Sequence, residues 1–178
     1  MLKTAVDFII SGKIEEGREI INHLLNRQLT EYIIEKGFWG NNSDVINEII
    51  EQTINIVIDK ISTLTLNFKN TSYEKVTNEN HLYKRSKQIC YERIKLTLKS
   101  VTSISELKDI IKNIATDDNK LNNLIKLKLN NLEQSQKTSF RNKLLRHEQL
   151  MFEYGLNIND SKLIEKAFVN YIGILFDL

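Results

Sequence analysis

The chain has 178 residues, no proline, six glycines and one cysteine, and its net charge is +2 at pH 7. So few turn-forming residues argue against a fold of many short strands, and a single cysteine excludes an internal disulfide framework. No segment has the roughly 20 consecutive apolar residues that a membrane-spanning helix needs. Residues 1–10 also lack the pattern of a secretory signal. We therefore expect an all-α protein of the cytoplasm, with no membrane span.

In the first half of the chain, apolar residues recur at three- and four-residue intervals, which is typical of amphipathic helices. The helices predicted in this way cover residues 4–10, 14–35, 44–61 and 82–100. Residues 64–80 are mostly polar, so we predict a loop there. This part of the chain is expected to form one small helical domain over residues 1–100.

The second half is predicted to form a second helical domain over residues 119–178, joined to the first by a linker over residues 101–118. Its predicted helices cover residues 121–132, 136–154 and 161–178, and a short helix is expected at 106–114 within the linker. Gly155 is expected to end a helix, because glycine is favoured just beyond a helix C-terminus. Asp160 or Ser161 is expected to cap the final helix.

Charge is unevenly distributed along the chain. Residues 1–60 carry ten acidic and six basic side chains, whereas residues 84–99 carry six basic side chains and only Glu92 as an acid. An acidic block followed by a basic helix indicates two different partners. Each charged segment can also be read as an ordinary solvated helix face.

Signs of catalytic chemistry are missing from the sequence. There is no glycine-rich phosphate loop, and His23, His81 and His147 are too far apart to form a local zinc motif. We expect Cys90 to be a small buried group. The sequence therefore predicts no catalytic residue, no metal site and no cofactor.

Three segments follow one another in a recognisable order: FIISGKIEEGREIINHLLNRQLTEYII, then NNSDVINEIIEQTINIVIDKI, then LYKRSKQICYERIK. Together they resemble region two of bacterial RNA polymerase sigma factors of the small extracytoplasmic-function branch. Residues 46–61 fall on that family's acidic helix, and Leu82-Tyr83 falls on its Leu-Tyr pair. Arg93 falls near the basic end of the third segment.

Two later segments resemble region four of the same family, which is a helix-turn-helix. They are LEQSQKTSF, residues 132–140, and QLMFEYGLN, residues 149–157. The resemblance implies two small helical domains, a region-two bundle and a region-four-like helix-turn-helix domain, joined by a linker. It also implies binding to core RNA polymerase, through the clamp helices of the largest subunit and the flap, and to promoter DNA at the minus-ten element.

The resemblance assigns roles to two sets of side chains. The polymerase-docking set lies on the acidic helix and consists of Glu48, Glu51, Gln52 and Asn55. The DNA-binding set lies on the loop and the basic helix and consists of Phe68, Tyr73, His81, Lys84, Arg85, Lys87, Gln88, Tyr91, Arg93 and Lys95. Cations neutralise phosphates, and aromatic or amide groups contact unstacked bases.

The final predicted helix has only Lys162 and Lys166 as cations, which is little for a helix that reads DNA. We therefore expect another DNA-bound protein to dock on the C-terminal domain and to share promoter choice. Two alternatives stay open at this point: a helical adaptor or interaction protein whose basic helix is merely solvated, and a dimeric helix-turn-helix regulator. An enzyme is the remaining alternative.

Overall fold

The computed structural model describes residues 1–38, 43–66, 71–111 and 118–176, and the side chains of residues 64–66 and 71–72 fall outside the description. The described residues form an all-helical protein, so the predicted all-α class is confirmed. The helices are α1 (Leu2–Ile10), α2 (Ile14–Glu35), α3 (Ser43–Leu66), α4 (Thr71–Val76), α5 (Glu79–Ser100), α6 (Ile104–Ile110), α7 (Asn119–Ile158) and α8 (Ser161–Phe176). None of these helices is both long and apolar enough to cross a bilayer.

The chain divides into two compact units, 1–128 and 129–178. The first unit is a bundle in which α1, α2, α3 and α5 pack against one another. Its core follows the predicted apolar stripes, and on α2 the buried residues are Gly17, Ile21, Leu25, Leu29 and Ile33. Because these positions recur at intervals of four residues, they lie on one face of the helix.

Gly17 allows α1 and α2 to pack closely. A Cβ atom at this position would lie 2.5 Å from Cγ1 of Ile9 and 2.9 Å from the carbonyl oxygen of Ala5. Gly12 turns the chain between the two helices with φ of +83°, a conformation that glycine adopts without strain. The opening hairpin therefore depends on glycine at two positions for two different reasons.

Residues 64–80 contain more helix than predicted, because α3 continues to Leu66 and α4 occupies Thr71–Val76. Propensity alone does not favour α4, which has only six residues. It is held from outside: the hydroxyl of Tyr73 donates to Oδ1 of Asp7 on α1, at 2.6 Å. Helix α4 also packs against α3 and α5, so this polar segment has partners on three helices, one of them 66 residues away in the sequence.

The segment predicted as a linker packs into the first unit where it is described. Ser103 caps α6 by accepting from the amide of Glu106, and Leu107 and Ile110 are buried. Ile111 pairs with Phe38 in an isolated antiparallel bridge. The compact units divide between Lys128 and Leu129, whereas the sequence places its boundary at residues 101–118.

The second unit is a helical hairpin built from the later part of α7 and from α8. The two helices predicted at 121–132 and 136–154 are one continuous helix, since neither proline nor glycine interrupts residues 133–135. Asp160 caps α8 as predicted, because its Oδ1 accepts from the amide of Leu163 at 3.1 Å. Asn159 makes the turn with φ of 55°.

Two expectations for this unit are corrected. Gly155 does not follow a helix but lies inside α7, where a Cβ atom would come within 2.9 Å of Cγ1 of Ile164 on α8. Residues 132–140 and 149–157, which resemble a helix-turn-helix, fall in one uninterrupted helix. A helix-turn-helix needs a short turn between two crossing helices, whereas here Arg141 on α7 donates to the carbonyl of Leu175 near the far end of α8.

Candidate functional site

The predicted docking residues all lie on one side of α3. Glu48 and Glu51 are exposed, while Gln52 and Asn55 are half-buried. Their spacing of three and four residues places them on adjacent turns, and the amide of Gln52 donates to Oε1 of Glu48 at 3.0 Å. The helix therefore presents two exposed carboxylates, one of them hydrogen-bonded to Gln52, beside two amide side chains.

Helix α2 contributes to the same surface. The guanidinium of Arg18 donates to Oδ1 of Asn55, and its Nε lies 3.3 Å from a carboxylate oxygen of Glu15. Asn55 is therefore held by a neighbouring helix rather than being free to turn. Glu15 is 78% exposed and lies at the edge of this surface, where its charge is balanced by Arg18. The docking surface, defined as Glu15, Glu48, Glu51, Gln52 and Asn55, is acidic and fixed on two packed helices.

Helix α5 presents a basic face to solvent. Four of the predicted DNA-binding residues are exposed on it: His81, Lys84, Arg85 and Gln88. Nη1 of Arg85 donates to Oε1 of Gln88 at 3.0 Å, which orients both side chains along the helix. The helix is well anchored at its start, because the side chain of Asn78 accepts from the amide of His81. We call these four residues the basic face of α5.

Other predicted DNA-binding residues on α5 are engaged within the protein. Nζ of Lys87 lies 4.5 Å from the ring of Tyr83 and 5.1 Å from that of Tyr32 on α2, so it makes cation–π contacts with both. Lys95 pairs with Glu92 at 2.8 Å and also lies over the ring of Tyr91. These cations remain half-exposed but are oriented by their neighbours.

Arg93 points away from the basic face, because nine residues beyond Lys84 is about half a turn around the helix. It is half-buried, and its buried Nε has no hydrogen-bond partner among the described residues. Tyr73 lies on α4, where its hydroxyl is used by Asp7. That hydrogen bond, together with burial and the charge of Asp7, raises the pKa of Tyr73. Phe68 lies outside the described residues.

A cluster around Asp118 connects α2, α5 and α7. The hydroxyl of Tyr91 donates to Oδ1 of Asp118 at 3.1 Å, and Nζ of Lys36 lies 3.5 Å from its Oδ2. Asp118 also caps α7 by accepting from the amides of Lys120 and Leu121. Tyr91, predicted to contact DNA, is therefore part of a structural cluster.

The pKa of Asp118 lies below its ordinary value. Burial is the largest single influence and acts to raise it, but several smaller effects, led by hydrogen bonds from the Leu121 amide and the Tyr91 hydroxyl, together outweigh burial. The ammonium of Lys36 and the amide of Lys120 act in the same direction as these bonds. Nearby, burial raises the pKa of Tyr32 to about 12, with Cys90 and Tyr91 adding to the effect. The carboxylate is thus charged and the phenol neutral near pH 7.

A cavity of about 550 Å³ opens between α3, α4 and α5, beside the basic face. Its apolar lining residues are Ile56, Val57, Ile61, Val76, Leu82 and Ile89. Its cationic lining residues are all exposed and are Lys60, Lys75 and Arg85, and the exposed imidazole of His81 lies beside them. Sequence reasoning missed Lys60 and Lys75, because they lie on α3 and α4 and only the packing of three helices brings them to Arg85.

This cavity can hold a flat apolar group attached to an anion. Apolar walls favour burial of a ring, and the neighbouring ammonium and guanidinium groups can neutralise a phosphate. Asp59 also lines the cavity and is the one acid among its described lining residues. An unstacked nucleotide base with its phosphate combines both properties.

Cys90 is fully buried in the core of the first unit. Burial raises the pKa of its thiol to about 12, although a hydrogen bond with Thr53 acts in the opposite direction. The thiol is therefore protonated and poorly nucleophilic near neutral pH. This agrees with the expectation of a small packed group.

Comparisons of the chain with protein-family models, with curated proteins and with solved structures give no match in any of the three.

Proposed function

We propose that the chain is a sigma-type factor that binds core RNA polymerase and directs promoter opening without catalytic chemistry of its own. The observation that carries the proposal is that one helical unit exposes an acidic surface on α2 and α3 and a basic face on α5. Opposite charges on separate helices of one bundle suit simultaneous contact with a basic protein surface and with DNA. The partners are identified as core RNA polymerase and promoter DNA because the three consecutive segments resemble sigma region two.

Polymerase binding is assigned to the docking surface. Glu48 and Glu51 are exposed carboxylates on a helix whose other side is buried, so they can approach a basic groove without rearrangement of the fold. Asn55, held by Arg18, adds a polar group in a fixed position. In the family that the sequence resembles, this helix meets the clamp helices of the largest subunit.

DNA binding is assigned to the basic face of α5 and to the cavity beside it. Lys84 and Arg85 are placed to contact backbone phosphates, and Gln88 to hydrogen-bond a base edge. A base that leaves the stack can enter the cavity, where Lys60 and Lys75 neutralise its phosphate. Capturing such a base stabilises the separated strands, since the unstacking energy is compensated by new contacts.

Upstream targeting is assigned to another DNA-bound protein that docks on the second unit. The cations of α8 are Lys162 and Lys166, both in its first half, and apolar residues dominate the part of the helix that follows. A helix of this composition is better suited to protein contact than to reading base edges.

The DNA assignment is tested with core polymerase from the cognate host and a fork-junction DNA that carries a single-stranded minus-ten segment. Because each lost phosphate contact weakens binding and reduces its salt dependence, Lys84→Glu/Arg85→Glu is expected to lower affinity at least tenfold. The matched control is Lys3→Glu/Lys108→Glu, which makes the same charge change at exposed positions elsewhere in the first unit. Equal affinity of the native chain and the Lys84→Glu/Arg85→Glu variant would favour the helical adaptor instead.

A further inference from the structure

The cavity between α3, α4 and α5 reaches the hydrophobic core of the first unit. Four of its apolar lining residues are themselves buried, namely Val57 and Ile61 on α3 and Leu82 and Ile89 on α5. Its volume of about 550 Å³ lies within the range of about 300–1,000 Å³ that is typical of small-molecule sites. A few polar groups beside mostly apolar walls are also typical of such sites.

The apolar walls of this cavity are aliphatic. They consist of three isoleucines, two valines and one leucine, and the imidazole of His81 is the one aromatic ring among the described lining residues. A hydrocarbon chain is stabilised by burial against such walls without any requirement for ring stacking. Water is poorly held there, because it needs polar partners. The walls therefore accept an aliphatic chain, in addition to the base that the proposed function places here.

Three cations line the same cavity and come from three different helices: Lys60 on α3, Lys75 on α4 and Arg85 on α5. They outnumber the one carboxylate among the described lining residues, that of Asp59. Within the part of the chain that the structure describes, none of the three cations takes part in an ion pair. Arg85 donates to Gln88 but has further N–H donors. The cavity therefore offers its positive charge to an anionic head group.

We propose that this cavity is a binding site for a free fatty acid. Its hydrocarbon chain packs against the aliphatic walls, and its carboxylate is bound by Lys60, Lys75 and Arg85. A fatty acid matches both parts of the lining at once. A neutral alcohol with the same chain matches only the walls, and a short carboxylic acid matches only the cations, so tight binding requires both halves of the ligand.

Bound fatty acid also regulates DNA binding, a consequence that rests on the proposed function. Lys60 and Lys75 are assigned there to the phosphate of an unstacked base, so the base and the fatty acid cannot occupy the cavity together. Saturating fatty acid is therefore expected to lower the affinity of the polymerase-bound chain for fork-junction DNA at least tenfold. None of the docking-surface residues lines the cavity, so polymerase capture should be unchanged.

Isothermal titration of the full-length chain with decanoate, without polymerase or DNA, tests the site directly. Decanoate is kept below the concentration at which it self-associates. Affinity is expected to rise about fourfold for each CH₂ group added from hexanoate through octanoate to decanoate, since each added group buries further apolar surface. Decanol, which lacks the charge, and adenosine monophosphate, which carries its charge on a flat base, are expected to bind at least tenfold more weakly than decanoate.

Two variants separate the contributions of the head group and the chain. Lys60→Gln/Lys75→Gln removes two cations and should lower the decanoate affinity to about that of decanol. Val76→Trp adds bulk at a half-buried wall position on α4 and should weaken both ligands at least tenfold. The matched control, Lys3→Gln/Lys108→Gln, makes the same charge change at exposed positions elsewhere in the first unit and should bind decanoate like the native chain.

Several results would overturn the proposal: no binding of decanoate by the native chain, affinity that does not depend on chain length, or undiminished affinity in Lys60→Gln/Lys75→Gln. Tighter binding of adenosine monophosphate than of decanoate would also overturn it, and would assign the cavity to bases alone. If decanoate binds as expected but polymerase is not captured, the fatty-acid site stands and the proposed function fails. If polymerase and DNA bind but decanoate does not, the fatty-acid site alone is refuted.

Discussion

Replacing Gly17 by alanine tests the close packing of α1 on α2, which positions the acidic end of the docking surface. The added methyl would lie 2.9 Å from the Ala5 carbonyl oxygen and 2.5 Å from Cγ1 of Ile9. Ile9 can change its rotamer, but a backbone oxygen cannot move without shifting α1. Overpacking costs about 1–3 kcal/mol, and a backbone oxygen that cannot yield places this change in the upper part of that range, at about 2–3 kcal/mol. The better helix propensity of alanine returns about 1 kcal/mol. We therefore expect Gly17→Ala to lower the free energy of unfolding by about 1–2 kcal/mol.

Urea unfolding followed by circular dichroism measures this change, and a thermal scan should show a midpoint lower by roughly 2–8 °C. The control is Gln28→Ala, at an exposed position of the same helix, which should stay within about 0.5 kcal/mol of the native chain. If Gly17→Ala were as stable as the native chain or more stable, the separation of α1 and α2 described above would be wrong.

The remaining predictions concern three buried or clustered groups, Cys90, Asp118 and Tyr32. With a pKa of about 12, the thiol of Cys90 should react with a disulfide reagent at pH 8 orders of magnitude more slowly in the folded chain than in urea; rapid labelling of the folded chain would refute its burial. Asp118→Ala should lower unfolding free energy by about 2 kcal/mol, since it removes a helix cap and the acceptor of Tyr91; Asp118→Asn should cost less. Because folding lowers the pKa of Asp118, its ionised carboxylate stabilises the folded chain above the unfolded pKa of about 4, and this stabilisation is lost as the pH falls through the folded-state pKa. Asp118→Ala and Asp118→Asn should therefore lose less stability on acidification than the native chain. Because the folded pKa of Tyr32 is raised to about 12, stability should fall between about pH 10 and 12, and less steeply in Tyr32→Phe.

Helix positions in the first unit could be predicted well because they depend on local periodicity. The prediction for α2, residues 14–35, matches Ile14–Glu35, since its apolar stripe runs without interruption. The basic helix α5 was also predicted, but it begins at Glu79, three residues before the predicted start. Asn78 caps it, and the first turn after this cap is polar, so the apolar pattern begins only at Leu82. These features are encoded within one or two turns of sequence.

Features that depend on distant partners could not be predicted in this way. Helix α4 hydrogen-bonds to Asp7 through Tyr73, so its formation does not follow from local spacing. Tyr91 donates to Asp118, so its structural role does not follow from local spacing either. Lys60 and Lys75 reach the cavity only because α3, α4 and α5 pack together. The continuity of α7 was missed for another reason: polar residues at 133–135 resemble a break, but nothing in them disfavours a helix.

Polymerase binding is the central claim, and capture of core RNA polymerase by the tagged full-length chain tests it most directly. The comparison variant is Glu48→Lys/Glu51→Lys, which reverses two exposed charges of the docking surface, and the control Glu133→Lys/Glu165→Lys makes the same charge change at exposed positions elsewhere. We predict stoichiometric capture of cognate-host polymerase by the native chain and by the control, and loss of capture in Glu48→Lys/Glu51→Lys. Failure of the folded native chain to capture polymerase, or undiminished capture by Glu48→Lys/Glu51→Lys, would contradict the proposed docking.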